Sequence, residues 1–158
     1  MMQADPSVVR DMLRHCMVAR IATLSRAGRP SVTPLYFVVL DDHIWLGTVD
    51  WTLAARNVRS DQRASILFAV EQEPASHHVL RITGHARVRT DPQAQRAYRL
   101  RVACKYVFTP GAIRNVLTHL WLLPLRRAYH AQAAQQGQPC VIEVSPEQVE
   151  LLNDEMFS

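Results

Sequence analysis

From Val79 to Arg89 the chain alternates without a break. Leu80, Ile82, Gly84, Ala86 and Val88 fall on one side, and Arg81, Thr83, His85, Arg87 and Arg89 on the other. Successive side chains of an extended strand point to opposite faces. This period of two therefore predicts a strand with one face in a core and a basic, solvated ladder on the other. A half-solvated strand belongs to an antiparallel sheet, which constrains the rest of the chain. Gly84 in mid-strand predicts a bulge or the close approach of another backbone.

Further strands are expected at residues 20–25, 31–40, 43–47 and 63–70, and in the last part at 140–144 and 149–152, either side of Ser145-Pro146. The run Leu35-Tyr36-Phe37-Val38-Val39-Leu40 is apolar throughout and calls for cover on both faces, by the core and by a helix or second subunit. Tyr36 and Trp45 are assigned to the core, and Asp41-Asp42 to a tight hairpin turn. Helical periods occur over residues 6–17, capped by Asp5 with Pro6 in the first turn, after Thr52, and after Asp91-Pro92. The last of these turns Ala94, Ala97, Tyr98, Leu100 and Val102 to one side; Thr109-Pro110-Gly111 ends it, and a second helix kinked at Pro124 follows. Residues 71–77 read as a loop. The expected fold is mainly β with helices (α+β): six to seven mostly antiparallel strands in a split or partly closed barrel, with a helical insert before the last strands.

The 158 residues fit a single domain, 1–158. The net charge of +4 is almost all arginine, Lys105 being the only lysine. The arginines are scattered and no basic run interleaves with aromatics, which argues against nucleic acid, while an anionic small molecule accounts for the sign equally well. Residues 116–125, the most apolar run, are too few to span a bilayer and contain His119 and Pro124. Met1 to Asp11 has no signal-peptide core, and Cys16, Cys104 and Cys140 are too far apart for a Cys-x-x-Cys site. A reducing cytoplasm is expected. His77-His78 point to opposite faces of an extended chain and have no third ligand at a suitable spacing, so no metal site is expected.

The stretch most suited to chemistry runs from Gly47 to Arg59. A short apolar strand, Ile44-Trp45-Leu46, feeds a helix for which Thr52 is a good N-cap. Ala55 stands where a capping box would need Glu or Gln. Two hydroxyls, Thr48 and Thr52, thus lie near unpaired N–H groups at the positive end of a helix, a seat suited to phosphate. The alternative is a cap that only stabilises the helix.

Taken in order, these segments resemble the pyridoxamine 5′-phosphate oxidase-like flavin-binding split barrels. The resemblance is carried by Ala19-Arg20-Ile21-Ala22-Thr23-Leu24, by Gly28-Arg29-Pro30-Ser31-Val32-Thr33-Pro34-Leu35-Tyr36-Phe37, by Ile44-Trp45-Leu46-Gly47-Thr48, by Arg56-Asn57-Val58 and by Ile82-Thr83-Gly84-His85-Ala86-Arg87-Val88. It implies a homodimer that binds FMN, or a deazaflavin coenzyme, in grooves at the subunit interface. It also implies an oxidoreductase acting on a small molecule, whose cofactor carries the hydride. A barrel that holds a flavin or tetrapyrrole without turnover is the alternative. The implied cofactor contacts are Thr33, Thr48, Trp51, Thr52 and Arg56. The family pattern Thr-x-x-x-Ser-x-Lys keeps its hydroxyls as Thr48 and Thr52, but Ala54 stands at the lysine, and Thr33 and Val38 replace basic residues of the second strand. Arg56, Arg81 or Arg29 are the candidate substitutes. The helices after Asp91 match the family less well.

Overall fold

A computed structural model describes residues 5–69, 79–107 and 137–152. Its strands are β1 (Ala19–Leu24), β2 (Pro30–Leu35), β3 (Phe37–Leu40), β4 (His43–Val49), β5 (Arg63–Ala69), β6 (Val79–Arg89) and β7 (Pro139–Leu152). They form one antiparallel sheet in the order β2-β1-β5-β6-β7-β4-β3, curled into a half-barrel. Its helices are α1 (Pro6–His15), α2 (Leu53–Ser60) and α3 (Pro92–Val102), the last running into a π-helical turn, Ala103–Val107. No described helix is long and apolar enough to cross a membrane. The expected helix after Thr109-Pro110-Gly111 and the expected 71–77 loop lie outside the described residues.

The two expectations for strand boundaries that fail do so for one reason each. The apolar run expected as one strand over 31–40 is two: β2 and β3 sit at opposite edges of the sheet, and Tyr36 alone joins them. Tyr36 consequently leaves the core to which it was assigned and is 61% exposed. Conversely, the two strands expected at the end are one, because β7 absorbs Ser145-Pro146 in a bulge. Thr83 faces Gln148 while Gly84 faces Pro146, so Glu147 is the extra residue. A Cβ on Gly84 would collide with the Ser145 carbonyl oxygen, which is why this strand carries glycine there.

Ile21, Phe37, Leu46, Ile66, Phe68, Leu80, Ile82 and Ile142 fill the barrel, with Phe37 edge-on to Phe68 at 4.7 Å. Met12 and Cys16 of the α1 end, and Ala54 and Val58 of α2, close it. A second apolar layer lies outside the sheet, where α3 lays Ala94 and Ala97 on Val38, Trp45 and Val141. The apolar run around Val38 is thus covered on its outer side by α3.

Candidate functional site

Thr52 caps α2: its Oγ1 accepts from the Ala55 N–H at 3.3 Å and donates to the Val49 carbonyl at 2.9 Å. Thr48 Oγ1 lies 3.0 Å from Thr52 Oγ1. The single proton of Thr52 is committed to Val49, so Thr48 is the donor of that contact. The N–H groups of Leu53 and Ala54 have no acceptor among the described residues, as expected for the first turn of a helix. The turn into α2 is fixed by the residue just before β7: the Asp50 N–H donates to the Gln138 carbonyl at 3.0 Å, and the Asp50 carboxylate accepts the Gln138 N–H at 3.0 Å. Arg59 donates to the Asp50 carbonyl at 2.7 Å.

Of the other expected contacts, Trp51 is 54% exposed and rests on Gly137, where a Cβ would strike its ring. Leu53 beside it is 60% exposed. Arg56 stands one turn beyond Thr52, exposed and without a partner among the described residues. Thr33 lies on β2, half-buried and opposite Ile21, across the seam where β2 approaches β4 without pairing to it. The structure thus joins Thr48 to Thr52, with Trp51 just before the cap and Arg56 one turn after it, and leaves Thr33 on β2, which approaches β4 without pairing to it. Ala54 is fully buried in the barrel core, so its position offers no outlet for a cation. Of the proposed arginine substitutes, Arg81 is committed elsewhere, donating to Glu150 at 2.7 Å.

Several working residues had no role assigned to them from sequence. Asn57, 5% exposed, donates to the Thr23 and Ser31 hydroxyls at 3.0 and 2.9 Å and ties α2 to the β1–β2 hairpin. At the seam the Tyr36 carbonyl accepts from the Gly47 N–H at 3.2 Å and from the Tyr98 hydroxyl at 3.1 Å. Burial raises the Tyr98 hydroxyl to about 12, so it stays a donor. A cavity of about 420 Å³ between α3 and the ends of β4 and β7 is lined by Thr48, Gln95, Tyr98, Arg99 and Cys140.

The outer face of β6 is the basic ladder that its sequence suggested, with His85 and Arg87 exposed, but its bases are paired with acids of β7. Arg81 meets Glu150, His85 meets Glu147 at 2.6 Å, and Arg87 and Arg89 meet Glu143 at 2.8 and 3.3 Å. Arg89 also binds Asp91, the cap of α3, and stacks on Trp45 at 5.3 Å. Burial pushes the Glu143 carboxyl up, but the hydrogen bonds and charges of Arg87 and Arg89 outweigh it and hold the group below its ordinary value. The alternate acids of β7 compensate the alternate bases of β6.

In fold, a conserved hypothetical protein of Mycobacterium tuberculosis is similar with a TM-score of 0.70 at 18% identity, over 99% of this chain and 92% of that one. An F420 reductase is similar with a TM-score of 0.62 at 15% identity, over 89% and 94%. A heme storage protein of Vibrio cholerae is similar with a TM-score of 0.59 at 15% identity, over 96% and 95%. No curated protein matches the chain. Residues 6–153, nearly the whole chain, match the family described as pyridoxamine 5′-phosphate oxidase. The seven-stranded half-barrel, its capped α2 and that match together place the chain in the pyridoxamine 5′-phosphate oxidase family.

Proposed function

We propose that the protein is a flavin-binding oxidoreductase that takes FMN beside the α2 N-terminus and acts on a small molecule. The observation that carries this reading is the Thr48–Thr52 hydroxyl pair at a helix start, with two N–H groups and Arg56 lacking partners among the described residues. Hydroxyls, free backbone N–H groups and a guanidinium are the donor set for a phosphate monoester. Trp51 and Leu53, both exposed, offer the apolar surface that a planar ring system needs. Thr33 would contact the cofactor from β2 across the seam. When bound, the flavin supplies the two-electron chemistry; the chain's residues bind and orient it.

The same reading makes the protein a homodimer, with the partner completing each groove. Large exposed apolar side chains at Val32, Tyr36, Trp51 and Leu53 support it, since a monomer gains nothing by leaving them in water. The fold shared with an F420 reductase supports a deazaflavin in the same seat. The fold shared with a heme storage protein supports a tetrapyrrole without turnover.

An absorption spectrum of the purified protein, followed by titration with FMN, the deazaflavin and heme, decides among them. A flavin band, or uptake of FMN at micromolar concentration or below, is the expected result. Preferential uptake of the deazaflavin or of heme moves the assignment to that ligand. A colourless protein indifferent to all three overturns the proposal.

A further inference from the structure

Tyr36 is where the chain leaves one edge of the sheet and joins the other. The β3–β4 register, with Phe37 opposite Leu46, runs on to that crossing, where the Gly47 N–H bonds the Tyr36 carbonyl, whereas β2 and β4 approach there without a ladder. Further bonds come from α3 and the π-helical turn. The Tyr98 hydroxyl donates to the Tyr36 carbonyl at 3.1 Å. Eight residues on in the sequence, the Tyr106 hydroxyl shares its proton between the Phe37 and Met17 carbonyls at 2.9 and 2.8 Å and accepts the Phe37 N–H at 3.3 Å. Two hydroxyls from one helical segment thus reinforce two consecutive backbone positions: Tyr98 gives the Tyr36 carbonyl a second donor beside the Gly47 N–H, and Tyr106 bonds both the N–H and the carbonyl of Phe37.

The fit is built into β4 as well. Gly47 faces the Tyr98 ring, and a Cβ at that position would run into the ring and its hydroxyl. The Gly47 N–H bonds the same Tyr36 carbonyl that Tyr98 holds. Glycine at 47 therefore admits the clamp, and the next residue is Thr48, the donor of the hydroxyl pair. On the other side of the crossing, Thr33 is three residues before Tyr36 along β2.

We infer that Tyr98 is a positioning residue for the candidate site: by holding the Tyr36 carbonyl against Gly47 it fixes the spacing between Thr33 on β2 and Thr48 on β4. This rests on the flavin reading above and assigns a task to α3. In this role the hydroxyl acts through the seam.

The test compares the wild type with Tyr98→Phe, which keeps the ring over Gly47 and loses only the hydroxyl. Two quantities are read: exchange of the Gly47 amide by NMR, which needs no cofactor, and FMN affinity by titration. Exchange of the Gly47 amide is expected to quicken about tenfold, since the seam opens more often. The FMN dissociation constant is expected to rise about tenfold. The melting temperature should move by no more than about 4 °C, the shift of a single lost hydrogen bond. Unchanged exchange at Gly47 overturns the clamp whatever FMN does. Faster exchange with unchanged FMN affinity overturns the positioning role. If the wild type takes up no flavin, the function reading fails and the positioning role with it, while exchange at Gly47 still decides whether Tyr98 holds the seam.

Discussion

Thr48 and Thr52 carry the same hydroxyl and different duties. Thr52 spends its proton on Val49 and a lone pair on Ala55, so it is a cap. Thr48 only donates to Thr52 and can turn that proton to a ligand at the cost of one modest hydrogen bond. Thr52→Ala should therefore cost about 1 kcal/mol of fold stability, read as a fall in melting temperature. Thr48→Val should leave the melting temperature nearly unchanged and weaken FMN uptake about tenfold, one hydrogen bond's worth. If the two substitutions trade effects, the assignment of duties is wrong. A missing cation can be supplied from position 53 and not from 54: Ala54 is sealed in the core, whereas Leu53 is in the first turn and exposed. Leu53→Lys should tighten FMN binding about tenfold through a charge-assisted phosphate contact, measured by titration. Unchanged affinity would move the phosphate away from the α2 N-terminus.

At the scale of elements, the β3–β4 hairpin turns through Asp41 and Asp42, both with positive φ, at 51° and 59°. A two-residue turn of that hand prefers Asp-Gly or Asn-Gly, because an L side chain is strained in the left-handed region. Asp42→Gly is expected to stabilise by about 0.5 kcal/mol, raising the melting temperature by about 1–2 °C. A fall would show that the Asp42 side chain has a partner of its own. The bulge responds in the opposite sense. Gly84→Ala forces the Ser145 backbone aside and should cost about 1–3 kcal/mol, seen as a lower denaturation midpoint. The turn, α1 with its Asp5 cap and the span of β6 were legible in the sequence, because each depends on residues close together in the chain, and the bulge was signalled by Gly84 in mid-strand although its other half is in β7. The split at Tyr36 was not. An apolar run such as 35–40 looks the same whether it stays in one strand or crosses between sheet edges, and what marks the crossing is a tyrosine sixty-two positions away. The merger of the last two strands was hidden likewise, since Ser145-Pro146 reads as a break and becomes a bulge only against β6.

For the whole molecule, the outer face of β6 and β7 is held by charge where the inner face of the sheet is held by packing. The bases of β6 were visible as a ladder, and the acids of β7 were visible too, but only the register between the two strands makes them partners. Glu143 is the centre of that arrangement: its side chain is 5% exposed and accepts from Arg87 and Arg89, while Arg89 passes on to Asp91 and so to the cap of α3. The Arg89 hydrogen bond, then the Ala94 N–H, hold the Asp91 carboxyl below its ordinary value, and Glu143 is likewise lowered on balance. A carboxyl whose folded value is depressed contributes stability that is complete above its unfolded value and disappears as pH falls through the folded one. Stability should therefore drop on acidification from the ordinary carboxylate range downward, with α3 loosening early. Glu143→Gln keeps the shape and removes the charge. At neutral pH it should cost about 1–3 kcal/mol, a range set by charged hydrogen bonds and reduced because Arg87 is largely in water. As pH falls below the folded value of Glu143 the wild-type carboxyl is itself protonated, so the two melting temperatures should converge. A gap that stays constant from neutral to acid pH would mean that Glu143 works through its shape alone, and that α3 is held to the sheet by the Trp45 layer without help from charge.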